Sequence, residues 1–145
     1  MSELLKYRNL ALLLLQAREA VMARFRPLLN QHNITEQQWR IIRALSEQGM
    51  MEPREICEKC QILSPSLAGV LSRMEEMGLV LRTRVETDQR RVNVNLTEQS
   101  KQLFKQIAPL IEQEYQALEE GPAGANMAEL YAVLDRFLSN QQLDK

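Results

Sequence analysis

The sequence predicts a mainly α-helical fold that carries one small β-hairpin, and three observations support this. Several segments of the 145-residue chain place apolar side chains at helical spacing between capping residues. One short stretch, LVLRTRVETDQRRVNVNL at 79–96, instead alternates apolar and polar residues as paired strands do. The composition, 45% hydrophobic and 26% charged, is typical of a globular chain with one core. We therefore expect a single domain over 1–145.

The first predicted helix extends from Glu3 to about Leu29, a segment that has no glycine and has proline only near its end. Its apolar run LALLLL at 10–15 covers most of the helix circumference, so we expect a partner subunit to bury the remaining sides. The run is far shorter than the roughly 20 residues that span a membrane. It also lacks the cleavage-site pattern of a secretory signal, so we predict a cytoplasmic protein with no membrane partner.

Two short helices are predicted next, and capping residues mark where they begin. Thr35 is a good N-cap residue and Gln38 takes the capping-box position, which puts a helix start near residue 36. Gly49 is the expected stop for this helix. Pro53 then suits the first turn of another short helix, PREICEKC.

The stretch LSPSLAGVLSRMEEMG at 63–78 predicts a third short helix, with Ser64 as its N-cap and Gly78 at its end. Apolar residues recur at the spacing of a buried stripe, at Leu67, Val70, Leu71, Met74 and Met77. The opposite face carries small side chains, short hydroxyls and one long cation, at Ser66, Gly69, Ser72 and Arg73. This face has little bulk to keep another surface away.

The next stretch predicts a basic hairpin. LVLRTRV and RVNVNL are the expected strands, and ETDQ is a polar connection of hairpin length. Four arginines gather around the turn, at Arg82, Arg84, Arg90 and Arg91. We expect Asp88 to pair with Arg90 and orient it across the turn.

Two longer helices complete the predicted fold. Thr97 is the expected cap of the helix EQSKQLFKQIAPLIEQEYQALEE, which we expect to kink at Pro109. The glycine-containing segment GPAGA at 121–125 interrupts the helices, and Asn126 starts a last amphipathic helix.

The formal charge of -1 hides a gradient, because residues 1–45 carry a net charge of +4 and residues 97–145 carry -4. Binding to a polyanion depends on the local field, so this total is compatible with a basic face. The order of two helices, a small-faced third helix and a basic hairpin predicts a winged helix-turn-helix, whose third helix enters the DNA major groove. The hairpin, or wing, would contact the neighbouring minor groove. The predicted DNA-binding residues are Ser64, Ser66, Gly69, Ser72, Arg73, Arg84, Arg90 and Arg91.

The stretch GLVLRTRVETDQRRVNVNLTEQS resembles the wing of the MarR family, with a Gly-Leu strand start, a D-x-R tip and a Leu-Thr helix cap. The stretches HNITEQQWRIIRAL and ILSPSLAGVLSRMEEMGLVLR are similar to the subgroup of homoprotocatechuate (4-hydroxyphenylacetate) degradation operon repressors. One departure is the tip ETDQRR, where PEDRR is common in the family.

The resemblance implies a homodimer that represses transcription from a pseudo-palindromic DNA operator. It implies a helical dimerisation region over 1–31 and 98–145, and a winged helix-turn-helix region over 35–97. It also implies release from DNA when a small aromatic acid or phenol binds between these regions. An aromatic carboxylate needs a guanidinium and a flat apolar wall. The effector-binding candidates are Arg18, His32, Trp39, Arg40 and Arg43, although Trp39 also suits the core and Arg18 could instead pair with Glu19 of the partner.

Other classes of function remain as alternatives. Cys57 and Cys60 could act in redox sensing, but one histidine and no further cysteine do not complete a usual zinc site, so we predict no metal and no cofactor. No catalytic set of serine, histidine and aspartate and no glycine-rich phosphate loop is visible, so we predict no enzyme and no catalytic residue. A winged-helix module that binds only proteins is the third alternative.

Overall fold

The structure is a computed structural model that describes residues 4–122 and 124–143, and six α-helices and one β-hairpin follow one another within these ranges. Their bounds are α1 Leu10–Gln31, α2 Glu36–Gln48, α3 Pro53–Cys60, α4 Ser64–Glu76, β1 Val80–Val85, β2 Asp88–Leu96, α5 Glu98–Glu120 and α6 Met127–Leu143. A 3-10 turn, Gly124–Asn126, precedes α6. The predicted fold class, mainly α with a hairpin, is confirmed.

The chain divides into two compact units, 1–108 and 109–145. The first unit holds α1 to α4, the hairpin and the beginning of α5, and its core draws on all of them. Its fully buried large apolar side chains are Leu29, Ile41, Ile42, Ile56, Leu71, Met74, Leu79, Val80, Val94 and Ile107. Burial of each such side chain contributes about 1.5–3 kcal/mol, so this apolar centre stabilises the helix-turn-helix and the wing together.

Helix α1 begins at Leu10, later than predicted, because Asn9 caps it. The Asn9 side chain accepts a hydrogen bond from the Leu12 backbone N–H at 3.0 Å, and residues 4–9 are not helical. Glu3, the predicted start, lies outside the described residues. The helix ends at Gln31, where the backbone of Asn33 turns into the left-handed region with φ of 58°.

Two helices expose apolar side chains. On α1, the leucines at positions 10 and 12–15 are between 36% and 54% exposed. On α6, in the second unit, the exposed large apolar residues are Leu130, Tyr131, Val133, Phe137 and Leu138. Exposure of this extent on a helix is typical of a surface that another chain covers.

Helix α2 begins as the capping residues predicted. The Gln38 backbone N–H donates to the Thr35 hydroxyl at 3.1 Å, and the Thr35 backbone N–H donates to the Gln38 side chain at 3.0 Å. This reciprocal capping box satisfies two N–H groups that the first helical turn leaves unpaired. Gly49 follows the helix with φ of +78°, which glycine adopts without strain.

Helix α4 ends as predicted but begins differently. Gly78, with φ of +76°, donates to the Glu75 carbonyl at 3.1 Å, and Leu79 donates to the Met74 carbonyl at 2.8 Å. These two bonds form a Schellman motif. The prediction that Ser64 is the N-cap is wrong, because the cap position belongs to Leu63 and Ser64 is already the first helical residue. The Pro65 ring suits this first turn, because the N–H group that proline lacks would have no acceptor within the helix at this position.

The wing is an antiparallel hairpin whose connection is shorter than predicted. β2 begins at Asp88, which pairs with Val85, so only residues 86 and 87 connect the strands. The register shifts between Arg84 and Val85. Because β2 begins at Asp88, Arg90 and Arg91 both lie on this strand. Met51 extends the sheet by a bridge to Val94, with backbone hydrogen bonds of 3.2 and 2.8 Å.

Helix α5 begins after Thr97, whose hydroxyl accepts from the Ser100 backbone N–H at 3.1 Å, as predicted. The helix runs through Pro109 and ends at Glu120. The interruption predicted at 121–125 is present in the residues described there; residue 123 lies outside them. No helix in the described part of the chain is long and apolar enough to cross a membrane.

Candidate nucleic-acid interface and effector residues

Helix α4 presents the small-faced surface that the sequence predicts. Ser66, Gly69, Ser72 and Arg73 are all exposed, while Leu67 and Leu71 on the opposite side are buried. A methyl group added at Gly69 would meet no atom within 4 Å, so the middle of this face is open. The face allows close approach of the backbone and offers hydroxyl donors and one guanidinium. Such groups bind phosphates, which positions a protein on DNA, or bind base edges, which reads the sequence.

Arg90 has 94% of its side chain accessible, more than Arg82 or Arg91 of the same wing. Its backbone N–H donates to Asp88 Oδ1 at 3.1 Å, and its Nε lies 3.5 Å from the same oxygen. The predicted contact between Asp88 and Arg90 is therefore present. Asp88 contacts the backbone N–H and the Nε edge of Arg90, which leaves the two Nη groups of the guanidinium to reach outward.

The other predicted wing arginines are held by the protein itself. Arg91 Nη2 lies 2.5 Å from Glu52 Oε1, and Glu52 directly precedes α3. Arg84 Nη1 donates to the Gln89 backbone carbonyl at 2.5 Å, across the irregular end of the hairpin. These contacts join residues that no local spacing rule connects.

Arg82 contacts helix α4, a role that the sequence did not indicate. Its Nη2 and Nε lie 2.8 and 3.3 Å from Glu75 Oε1, and Nη2 also donates to the Ser72 hydroxyl at 3.4 Å. The hydrogen bond from Arg82 lowers the pKa of Glu75 below its ordinary value of 4.5. Sequence reasoning missed the pair because the helix end and the turn at Gly78 separate its two members.

Among the effector candidates, Arg18 and Arg40 meet at one carboxylate. Arg18 Nη2 pairs with Glu36 Oε1, and Arg40 Nε lies 3.4 Å from the same oxygen. Arg18 Nη1 also lies 3.6 Å from Glu19 of its own chain. Arg40 in turn donates to the Cys60 backbone carbonyl at 2.5 Å, at the end of α3. One charge cluster thus connects α1, the start of α2 and the helix that precedes α4.

The remaining candidates lie apart from this cluster. Arg43 pairs with Glu47 one turn later on α2, at 2.9 Å. Trp39 is 8% exposed and stacks on Phe104, so its predicted place in the core is confirmed. His32 Nδ1 lies 3.0 Å from the Leu28 carbonyl, and the ring lines a cavity of about 530 Å³ together with glutamines of α5. Of the five candidates, His32 alone lines this cavity of the described residues.

The two cysteines are both free thiols. Cys60 is buried, its Sγ lies 3.5 Å from the Arg40 carbonyl, and burial raises the pKa of its thiol above the ordinary 9.0. Cys57 is half-buried and lines a cavity of about 330 Å³ between α3 and α4. A raised pKa disfavours the reactive thiolate, which weighs against Cys60 as an oxidation sensor. No group of three metal-ligating side chains occurs in the part of the chain that the structure describes.

A slim helix face and a cationic hairpin in one compact unit define a winged helix-turn-helix transcriptional regulator. The chain belongs to the MarR family, and the sequence pattern of that family matches residues 34–92. It is 46% identical over 115 residues, 79% of each chain, to the HTH-type transcriptional regulator FarR of Neisseria gonorrhoeae. It is 41% identical over 131 residues to the homoprotocatechuate degradative operon repressor of Escherichia coli, covering 90% of this chain and 88% of that protein.

A solved structure gives the same fold. The crystal structure of NadR in complex with 4-hydroxyphenylacetate superposes with a TM-score of 0.81 at 40% identity, and 97% of each chain is covered.

Proposed function

We propose that this MarR-family regulator is a homodimeric repressor that binds a pseudo-palindromic operator and is released by a small aromatic acid. The exposed small-residue face of α4 carries this proposal, because Ser66, Gly69 and Ser72 allow close approach to a major groove. Ser64 is the first residue of α4, next to this face. Arg73 supplies the long side chain that reaches a guanine edge or a phosphate.

The wing supplies the second contact with DNA. The guanidinium end of Arg90 is exposed, and a narrow minor groove attracts such a cation. Arg84 and Arg91 lie on the same wing, but each already has a partner within the protein.

Dimerisation is supported by the exposed leucines of α1 and by the exposed apolar face of α6. We assign 1–31 and 98–145 to the dimerisation region and 35–97 to the DNA-binding region. A twofold axis places two copies of α4 about one helical turn of DNA apart, as half-sites of an operator require. Leu13→Glu and Phe137→Glu should each shift the protein toward monomer in analytical ultracentrifugation, while a wholly monomeric wild type would contradict the assignment.

The effector class is supported by two relatives in particular, the E. coli repressor and the NadR complex, whose names refer to an aromatic acid. At the start of α2, the guanidinium groups of Arg18 and Arg40 hold the carboxylate of Glu36. A bound aromatic carboxylate would compete for these two cations. Arg43, His32 and Trp39 lie apart from the cluster, so we propose Arg18 and Arg40 as the first effector contacts. Because Arg40 also contacts the Cys60 carbonyl, a change at this cluster reaches the helix-turn-helix.

In this proposal the protein acts by binding alone, without a catalytic residue, metal or cofactor. It acts in the cytoplasm, where the operator DNA lies. Fluorescence anisotropy with duplexes from its own genomic neighbourhood tests the proposal. We expect binding that weakens steeply with salt, and dissociation when 4-hydroxyphenylacetate is added. Absence of DNA binding at low salt would refute the regulator and favour a protein-interaction module. Binding that no aromatic acid reverses would refute the effector alone.

A further inference from the structure

Each strand of the wing is fastened to a different helix by one arginine. On β1, Arg82 donates to Glu75 and Ser72 of α4. On β2, Arg91 pairs at 2.5 Å with Glu52, next to the bridge that Met51 makes to the sheet. The wing is therefore tied to α4 and to the N-cap residue of α3.

The exposure of the arginines follows the same division. Arg82 and Arg91 have 34% and 56% of their side chains accessible, whereas Arg90 has 94%. For Arg82 or Arg91 to reach a phosphate, its hydrogen bond to a carboxylate would have to break. The abandoned Glu75 or Glu52 would then face a polyanion without its cation, which is unfavourable.

We infer that Arg82 and Arg91 are positioning residues that set the wing relative to α4 and the start of α3, which leaves Arg90 as the wing cation that reaches the minor groove and the phosphates beside it. This inference rests on the proposed DNA-binding function. A helix and a wing that enter neighbouring grooves must keep a fixed separation, because DNA presents its grooves at a fixed repeat. Arg84, held by the Gln89 carbonyl, closes the irregular end of the same hairpin.

The salt dependence of operator binding separates the two roles. Each phosphate contact contributes about 0.9 to the slope of log affinity against log salt, and a dimer carries each contact twice. We expect Arg90→Ala to lower the slope by about 1.8. Arg82→Ala and Arg91→Ala should keep the wild-type slope while lowering affinity at every salt concentration. A slope reduced by Arg91→Ala or Arg82→Ala as much as by Arg90→Ala would overturn the division of roles.

Charge exchange supplies a control that a contact role would not satisfy. Arg82→Glu should weaken binding by at least about tenfold, and adding Glu75→Arg should restore most of the affinity because the pair is rebuilt in reverse. Arg91→Glu with Glu52→Arg tests the other strand in the same way. Failure of both double variants to recover affinity, with unchanged thermal unfolding, would contradict positioning.

Amide hydrogen exchange tests the fastening without DNA. Exchange over 80–96 should accelerate in Arg82→Ala and Arg91→Ala and stay unchanged in Arg90→Ala. Equal exchange in all three variants would overturn the inference. If the wild-type protein does not bind DNA, the proposed function fails. If it binds but the exchange or slope results disagree, the inference alone fails.

Discussion

Trp39 of α2 stacks on Phe104 of α5, with ring centroids 5.4 Å apart and ring planes inclined by 15°. Offset stacking of this kind contributes about 0.5–1.5 kcal/mol beyond the burial of the rings. The contact joins the helix-turn-helix to the beginning of the long helix that follows the wing, two elements that the chain separates by the whole hairpin.

Phe104→Leu should lower the free energy of unfolding by about 0.5–1.5 kcal/mol, because it keeps apolar bulk but removes the stacked ring. Urea unfolding followed by fluorescence measures this directly, since Trp39 is the only tryptophan in the chain. Phe104→Tyr keeps the ring and is the control, with stability expected within about 0.5 kcal/mol of wild type. Equal losses in the two variants would show that the stack is not the cause.

Thr35→Ala should cost about 1 kcal/mol of stability, because it removes the acceptor for the Gln38 N–H in the capping box. Ser64→Ala is the matched comparison. Ser64 is not the cap of α4, so its loss should change stability by less than about 0.5 kcal/mol while weakening operator binding. A loss of stability in Ser64→Ala as large as in Thr35→Ala would show that Ser64 caps α4, as the sequence predicted.

Arg73→Ala should weaken operator binding by about 1–3 kcal/mol and relax the preference at one base pair if Arg73 reads a guanine edge. Competition with operators mutated at single positions measures that preference. Glu76→Gln, at an exposed position on the same helix, is the control. Full operator affinity in a protein that carries both Arg73→Ala and Arg90→Ala would remove both residues from the interface.

The ion pair of Glu75 and Arg82 should make the stability of the fold depend on pH. Because the folded-state pKa of Glu75 is lowered, the pair contributes fully above the ordinary value of 4.5 and is lost as the pH falls through the lower folded value. The difference in Tm between wild type and Glu75→Gln should therefore stay constant from pH 7 to about 5 and shrink below that range. A difference that persists undiminished at pH 2 would show that the carboxylate charge is not what stabilises the wing.

Cys57 should react with iodoacetamide faster than Cys60 at pH 8, because Cys60 is buried and its thiol pKa is raised. Mass spectrometry of the alkylated peptides gives the two rates, with Cys57→Ser as the control that isolates Cys60. The redox alternative makes a different prediction for peroxide. Loss of operator affinity on oxidation in wild type, but not in the protein with both cysteines replaced by serine, would favour a redox regulator.

Helix positions were largely predictable because their signals are local. Thr35 with Gln38, and Gly78 after α4, act within four residues of themselves, and the structure shows the corresponding hydrogen bonds. The errors fell at Ser64, at the start of α1 and at the hairpin turn. At Ser64 the error is one residue, because Leu63 takes the cap position and propensity does not distinguish adjacent positions. At α1 the error is larger, because the Asn9 side chain caps a helix that begins at Leu10, seven residues after the predicted start residue Glu3.

On its own, the amino-acid sequence determined the order of elements, the buried stripe of α4 and its slim outer face, because these follow from periods of 3.6 and 2 residues. Only the tertiary structure decided which arginines of the wing are paired to a distant carboxylate and which one is almost fully exposed. Glu52 and Arg91 are 39 residues apart, and Arg18 and Glu36 are 18 apart. Such pairs form because packing of the core brings distant segments together, and no local pattern encodes the partner of a charged side chain.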